Sequence, residues 1–203
     1  PLISHTMLSF GFGNDDYVCI SIETRKEKGE GFSAIKGFFR QFELTYVVAD
    51  ERDLVRLRTD YRGEEVYLYR LNTEPTVARL VFLDYLKEVN RLKERPEWYN
   101  ALTANCTTLI RGHTRAYAKD AHFDWRILVN GRIDEMAYQR KSLDQSLPFA
   151  ELRSRSLNNE RAKAIGSDPA FSRRIREQLP GMGARASNPS VQPQSHGSLV
   201  QSL

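Results

Sequence analysis

One of the two cysteines in this chain stands where a thiolate nucleophile is expected. Residues 103–110, Thr-Ala-Asn-Cys-Thr-Thr-Leu-Ile, read as the start of a helix with Cys106 in its first turn. Helix N-termini carry unpaired N–H groups and a partial positive charge, which lower the pKa of a thiol and favour its anion. The backbone N–H of Cys106 is suited to bind an oxyanion, with Asn105 as further support. The segment therefore predicts nucleophilic chemistry at Cys106.

The candidate base, His5, lies far upstream in a predicted β-hairpin. Residues 3–12 and 17–25 alternate apolar and polar side chains around a turn rich in Gly, Asn and Asp. The apolar faces of both strands must lie on one side of the sheet, because a slip of one residue would expose one set to water. The opposite face then collects His5, Met7, Ser9, Tyr17, Cys19, Ser21 and Glu23.

Hairpin geometry also predicts the neighbours of His5. If the loop has an odd number of residues and Gly13 is left-handed, His5 lies opposite Glu23 or one pair away, beside Ser21 or Arg25. A histidine and a carboxylate are therefore expected to be neighbours.

These residues match the needs of a cysteine hydrolase or acyltransferase: a thiolate, a histidine that shuttles the proton, and a polar group that orients the histidine. Cys106 supplies the thiol, His5 the base and Glu23 the orienting group, with Ser21 or Tyr17 as alternatives. A buried cysteine and a surface histidine are also common without function, so an inert interpretation stays open.

The remaining histidines fit this chemistry less well. His113 lies two turns along the cysteine helix, about 10 Å away along its axis. His122 lies in a predicted loop, and His196 lies in the tail. We expect structural or exposed roles for all three.

Two cysteines and four histidines, scattered without paired ligand spacing, predict no metal site. Cys19 lies in a strand interior and is expected to pack, although a disulfide with Cys106 stays open in an oxidising compartment. No glycine-rich loop joins a strand to a helix, so no phosphate-bearing cofactor is expected.

Composition limits the class of protein. The 203 residues are 40% hydrophobic, which is enough to bury a core, and no run approaches the ~20 apolar residues that cross a bilayer. The net charge is +4, with arginines concentrated in the last third. A solvated helix surface explains them better than nucleic acid, because no aromatic residues interleave them. The chain opens at Pro1 directly before a strand, so we expect a targeting segment to be missing.

The rest of the sequence predicts one domain with an extension. Residues 1–180 are expected to form a catalytic domain with a helical C-terminal part, and 181–203 a disordered tail. The predicted elements are a helical turn at 33–39, strands at 42–49 and 66–71, a short helix at 50–58, a long helix from 74 to about 94, the cysteine helix at 105–117, an extended or helical segment at 123–128, and helices at 133–140, 148–164 and 169–178.

The order of the site residues resembles a known group of enzymes. A strand histidine, a neighbouring strand acid and a later Asn-Cys on a helix are similar to the circularly permuted papain-like enzymes, which include acyltransferases of the lecithin:retinol type. Closer still, residues 4–10, 20–25, 39–44, 46–54 and 98–108 resemble the bacterial periplasmic Lnb family of lipoprotein N-acylation transferases. The resemblance covers about residues 1–181.

The resemblance implies an α+β, circularly permuted papain-like fold, with a small antiparallel sheet packed against the cysteine-bearing helix and additional C-terminal helices. It also implies that Cys106 carries an acyl chain as a thioester and His5 is the base. The acyl donor would be a phospholipid or the lipid of a lipoprotein, and the acceptor the α-amino group of the lipoprotein's lipidated N-terminal cysteine. Such a protein needs no cofactor, no metal and no nucleic acid partner.

The implied location is the periplasm or the periplasmic face of the inner membrane. A site that excludes water would favour attack by an amine, and four aromatic residues are candidates to edge it, with core packing as their alternative role: Phe38, Phe39, Trp98 and Tyr99. Two further functions stay open. One is a cysteine amidase or peptidase acting on cell-wall peptides, and the other is a non-catalytic envelope-binding module.

Overall fold

The structure of this chain is a computed structural model that describes residues 4–13, 16–25, 42–100, 105–117 and 131–182. Along the chain these residues form β1 (Met7–Phe12), β2 (Asp16–Arg25), β3 (Glu43–Asp50), α1 (Glu51–Arg56), a π-helical turn (Leu57–Arg62), α2 (Pro75–Glu94), α3 (Cys106–Thr114), α4 (Ile133–Gln139), α5 (Phe149–Ser156), α6 (Asn159–Ile165) and α7 (Phe171–Arg174). Some predictions lie outside the described residues: the elements at 33–39 and 123–128, nearly all of the tail, and Phe38, Phe39, His122 and His196.

The three strands form one antiparallel sheet in the order β1-β2-β3. Met7 pairs with Ser21 and Ser9 pairs with Cys19, which confirms the predicted polar face of the hairpin. Gly13 lies outside the left-handed region, so that part of the prediction is wrong. The register is instead set by the alternation of buried and exposed side chains along the two strands.

The apolar face of the sheet forms the main core with α2 and α3. Ile20, Ile22 and Leu44 from the sheet pack with Val81 and Tyr85 of α2, and the cysteine at the start of α3 belongs to the same buried cluster. Helix α2 begins with proline at its first position, where a missing N–H costs nothing. The fold is therefore α+β, with a small antiparallel sheet and several helices, as the sequence predicted.

The predicted fourth strand at residues 66–71 is wrong. This segment forms only isolated bridges. Its backbone bonds to the ends of helices instead: the Val66 N–H donates to the Asn159 side chain (2.8 Å), and the Leu68 N–H donates to the Ser156 carbonyl (2.9 Å). A junction between helices offers no continuous ladder, so no strand forms.

The same junction divides the predicted helix at 148–164 into α5 and α6. The Asn158 N–H donates to the Val66 carbonyl (2.8 Å) rather than to its own helix. Leu157 is accordingly extended, with φ −64° and ψ 123°. The predicted helix at 169–178 is also shorter than expected, being regular only in α7.

Two more helix ends differ from the prediction. Helix α1 was expected to continue to Arg58, but it ends at Arg56 and passes into the π-helical turn. Helix α3 was expected to reach Tyr117, but it ends at Thr114. Among the described residues, no helix combines the length and the hydropathy needed to cross a bilayer.

Helices from the last third of the chain pack against α1 through a second apolar core. Its buried members come from both parts of the chain: Val55, Val66, Ala162, Phe171 and Ile175. The C-terminal helices therefore pack closely on the part of the chain that carries the sheet.

Candidate active site

Cys106 is the first residue of α3, and a capping box fixes this helix start. The Asn105 side chain accepts from the Thr108 N–H (2.8 Å), and the Thr108 hydroxyl accepts from the Asn105 N–H (2.9 Å). Each bond satisfies a backbone donor that a bare helix end would leave unpaired. Sequence analysis assigned Asn105 to oxyanion support, whereas these contacts give it the role of holding Cys106 at the helix terminus.

Asn105→Ala is expected to lower the free energy of unfolding by about 1 kcal/mol, because the cap is lost. Urea denaturation measures the change, and Asn105→Asp is the matched control because aspartate also caps helices. Equal stability of the alanine and aspartate variants would contradict a capping role.

A chain of hydrogen bonds leads from His5 to Glu23. Nε2 of His5 lies 2.7 Å from Ser21 Oγ, and the Ser21 hydroxyl donates to Glu23 Oε1 (2.7 Å). The same carboxylate oxygen lies 3.3 Å from His5 Nε2. The hairpin prediction that His5, Ser21 and Glu23 are neighbours agrees with this geometry.

The direction of these bonds determines the neutral tautomer of His5. An ionised carboxylate only accepts, so the Ser21 proton points to Glu23. Ser21 must then accept from His5, which places a proton on Nε2. The lone pair of Nδ1 is left to take a proton from a thiol.

Cys106 and His5 are joined by a side-chain hydrogen bond that shifts both groups. Burial alone raises the pKa of the Cys106 thiol, but the His5 bond and charge outweigh burial, with help from the Thr6 N–H and the Thr107 hydroxyl, and the pKa is lowered. Burial alone lowers the pKa of His5, but the bonds to Cys106 and Glu23 reverse this and raise it. Both shifts favour a thiolate–imidazolium pair.

Glu23 is held ionised. Burial alone raises its pKa, but the hydrogen bonds from His5 and Ser21 and the charges of His5 and Arg58 lower it to about 2. Arg58 was not predicted as a site residue, yet its Nη2 donates to Glu23 Oε1 (2.6 Å). Nothing in the sequence distinguishes this arginine from the many others.

The pKa of Glu23 predicts a specific acid dependence of stability. A carboxyl group with a depressed pKa stabilises the fold above its ordinary value of 4.5, and this contribution is lost as the pH falls through about 2. The difference in unfolding free energy between wild type and Glu23→Gln should therefore shrink over this window. Urea denaturation at a series of pH values measures it, and a constant difference would contradict the assigned pKa.

The Cys106 N–H, which the sequence predicted as an oxyanion donor, already has a partner. It donates to the phenol oxygen of Tyr99, a half-buried side chain. Backbone bonds fix this tyrosine beside the start of β3, since the Tyr99 N–H donates to the Phe42 carbonyl (2.8 Å) and the Leu44 N–H donates to the Glu97 carbonyl (2.8 Å). Burial and the charge of Cys106 raise the pKa of Tyr99, so the phenol keeps its proton and is a donor.

Two polar-face residues of β2 lie apart from this chemistry. Tyr17 pairs with Gly11 at the hairpin end, where its ring stacks under the Arg176 guanidinium at 3.6 Å, so it does not orient His5. Cys19 is buried, and burial and the charge of Glu51 raise its pKa to about 12. The prediction that Cys19 packs agrees with this, and neither cysteine forms a disulfide.

His113 belongs to a separate buried cluster. Its Nδ1 lies 2.6 Å from Asp84 Oδ2, its Nε2 lies 2.9 Å from the Tyr46 hydroxyl, and its ring lies against Tyr85. This agrees with the structural role expected for it. Within the described ranges, no group of histidine, cysteine and acidic side chains has the arrangement of a metal site.

The described residues form an α+β domain with a cysteine at a capped helix start. This cysteine is hydrogen-bonded to a histidine, and a carboxylate lies beside the histidine. The chain belongs to the family described as the Lnb N-terminal periplasmic domain, whose model matches residues 1–131. This confirms the resemblance seen in the sequence, and the matched region contains His5, Ser21, Glu23 and Cys106. Comparison with curated proteins and with solved structures found no match.

Proposed function

We propose that this protein is a cysteine-dependent acyltransferase that carries an acyl group as a thioester on Cys106. The observation that carries the proposal is the continuous chain of hydrogen bonds from the Cys106 thiol through His5 and Ser21 to Glu23. An inert buried cysteine in an apolar core has a raised pKa, whereas this one is lowered. The pair is therefore prepared for nucleophilic attack.

The first half-reaction acylates the cysteine. The thiolate attacks the carbonyl carbon of an ester, the C–O bond to the leaving alcohol breaks, and the His5 imidazolium gives that alcohol its proton. The neutral imidazole remains, with its Nε2 proton bonded to Ser21. Glu23 stabilises the imidazolium that exists before this transfer and again in the second half-reaction.

The second half-reaction moves the acyl group to an amine. The amine attacks the thioester carbon, His5 accepts the amine proton, and the C–S bond breaks to leave an amide and the thiolate. In both steps the tetrahedral oxygen needs the Cys106 N–H. In this proposal Tyr99 yields this N–H to the substrate oxygen and donates a second hydrogen bond from its phenol, and the raised pKa that keeps the phenol protonated supports this role.

The proposed donor is a phospholipid or a lipoprotein's own lipid, and the proposed acceptor is the α-amino group of a lipidated N-terminal cysteine, at the periplasmic surface of a membrane. Membership of the Lnb N-terminal periplasmic domain family supports this choice. The chain order, with His5 just before β1 and the cysteine helix later, also supports a circularly permuted papain-like fold. The proposed chemistry uses side chains and the Cys106 N–H, and it includes no metal or cofactor.

Mass spectrometry tests the proposal. The purified protein is incubated with phosphatidylethanolamine vesicles, and its intact mass and peptides are analysed for an acyl adduct. We expect the adduct on Cys106, its loss in Cys106→Ala, and its retention in Cys19→Ala, which removes the only other cysteine. Addition of a diacylated peptide with an unblocked N-terminal cysteine should then discharge the adduct onto the peptide.

Other outcomes separate the alternatives. Cleavage of a cell-wall peptide without any lipid-derived adduct would favour the amidase or peptidase. A Cys106 alkylation profile with a thiol pKa near the ordinary ~8.5, together with no adduct, would favour the non-catalytic module.

A further inference from the structure

A buried arginine lies directly behind the carboxylate of the candidate site. Arg58 is only 4% exposed, and its two terminal nitrogens bind different acids. Nη2 donates to Glu23 Oε1 (2.6 Å), and Nη1 donates to Glu64 Oε2 (2.8 Å). The guanidinium therefore forms a bridge from a partly exposed glutamate to the inner carboxylate of the hydrogen-bond chain.

All the polar contacts of Glu23 in that chain meet at one atom. Oε1 receives the Arg58 guanidinium and the Ser21 hydroxyl, and it lies 3.3 Å from His5 Nε2. Two short charge-assisted bonds define the position of this oxygen more tightly than either alone. The carboxylate oxygen that faces His5 is thus also held by Arg58 and Ser21.

The local backbone that carries Arg58 is unusual. After α1, the chain continues as a π-helical turn that ends at Gly63, which is left-handed with φ 65°. The Glu64 N–H then donates to the Arg58 carbonyl (2.9 Å). Arg58 and Glu64 are therefore joined by a backbone hydrogen bond as well as by their side chains. Short π-helical segments frequently occur at functional sites, where they redirect a side chain.

One N–H group of this guanidinium makes no hydrogen bond within the described part of the chain. Arg58 Nε is buried and has no acceptor within the described part of the chain. Buried polar groups are normally satisfied, and a buried arginine contributes little to stability when it could be replaced by apolar packing. The arrangement is better explained by what the arginine does to Glu23.

We propose that Arg58 is a positioning residue of the site, which holds the Glu23 carboxylate against Ser21 and His5. The proposal rests on the proposed thiol chemistry of Cys106, but not on the identity of the acyl donor or acceptor.

The charge of Arg58 acts on the whole site. It lowers the pKa of Glu23 and also that of His5. The other charged or titratable groups facing this cluster are Glu64, Arg62, Tyr99, Cys106 and Cys19. Removing the arginine cation should therefore raise the pKa of His5 as long as Glu23 stays ionised. The larger causes of the low Glu23 pKa, the bonds from His5 and Ser21 and the charge of His5, remain in that variant.

The test uses the full chain with Cys19→Ala in every variant, so that Cys106 is the single thiol. The p-nitrophenyl ester of acetate is the probe, because it acylates a reactive thiol without any lipid or acceptor and releases a coloured phenolate. Arg58→Met should slow this acylation by about 10- to 100-fold, as expected for loss of a charge-assisted bond to the site. NMR titration of the His5 ring should show a higher pKa.

The controls separate positioning from general destabilisation. Arg56→Met removes an arginine from the adjoining α1, where it pairs with Asp60 at a more exposed position, and should leave acylation and the His5 pKa unchanged. In a Glu23→Gln background, Arg58→Met should slow acylation by a further factor of less than about two. The reason is that the effects of residues that act as a unit are not additive. An equal loss in both backgrounds would overturn the proposal.

A conservative variant keeps the test decisive if Arg58→Met does not fold. Arg58→Lys retains the charge but cannot form the fork between two carboxylates, so it should fold, keep the His5 pKa and acylate about tenfold more slowly. Wild-type acylation in Arg58→Lys, or an unchanged His5 pKa in a folded Arg58→Met, overturns the proposal. Reaction with the ester but no transfer from phospholipid would refute the proposed lipid substrate and leave the role of Arg58 standing.

Discussion

His5→Ala is expected to slow acylation of Cys106 by about 10²- to 10⁴-fold, the usual contribution of a positioned general acid or base. Two effects combine in this loss. The leaving alcohol loses its proton donor, and the thiol loses the bond and charge that lower its pKa against the effect of burial. At neutral pH the Cys106 sulfur of this variant should therefore be mostly protonated.

Two measurements check this result in one experiment. The rate at which p-nitrophenyl acetate acylates the protein reports attack by the Cys106 thiolate, because its phenolate leaves without a proton, and iodoacetamide alkylation across pH reports the thiol pKa alone. In His5→Ala the alkylation profile should shift to higher pH, because burial then dominates. In the wild type, acylation should rise with pH as the thiol loses its proton, with an apparent pKa that belongs to the Cys106–His5 pair.

His113→Gln provides the matched control. This histidine is also buried and lies on the same helix as Cys106, but it bonds to Asp84 and Tyr46 rather than to the thiol. The groups that lower the pKa of Cys106 are His5, Thr6 and Thr107. Replacement of His113 should reduce stability while leaving the alkylation profile in place. If His113→Gln shifts the profile as much as His5→Ala does, the pairing of His5 with Cys106 is refuted.

Local rules in the sequence predicted much of the site. Period-two alternation in the hairpin placed His5 near Glu23 and Ser21, because strand parity leaves few alternatives once one face is buried. The pattern around Asn105 likewise predicted a helix from about residue 105 with Cys106 in its first turn, and the structure shows that Asn105 is the cap that precedes it. These features depend on neighbours in the chain or on one strand pairing.

The missed residues depend on contacts that the sequence does not encode locally. Tyr99 reaches the Cys106 N–H because residues 97–99 run beside β3, and Arg58 reaches Glu23 because a π-helical turn replaces the end of an α-helix. Neither placement follows from periodicity. The order of residues in the chain of hydrogen bonds was also not predicted, because only the side-chain geometry shows that Ser21 lies between His5 and Glu23.

Another unpredicted contact joins residues 125 positions apart and leads to the largest expected effect on stability. Arg176 donates from Nη1 to Glu51 Oε2 (2.6 Å) and from Nη2 to Glu51 Oε1 (2.7 Å), while its guanidinium covers the Tyr17 ring. Glu51 is 1% exposed. The pair is a buried bidentate ion pair between the C-terminal helices and the start of α1.

Arg176→Met is expected to lower the free energy of unfolding by about 3–5 kcal/mol, because it leaves the Glu51 carboxylate buried without its partner. Urea denaturation near neutral pH measures this loss. The double variant Glu51→Leu with Arg176→Met should recover most of it, since two apolar side chains of similar volume avoid the buried charge altogether. Arg173→Met is the control, because its pair with Glu177 is exposed and contributes little.

The prediction bears on where the functional domain ends. The family match stops at residue 131, but Glu51 lies within the matched region and its partner lies beyond it. If Arg176→Met costs several kcal/mol and the double variant recovers them, the helices after residue 131 are part of the folding unit that holds the site. Their loss would leave the Glu51 carboxylate buried without its partner. A cost below about 1 kcal/mol for Arg176→Met, similar to that of Arg173→Met, would instead show that these helices are an appendage.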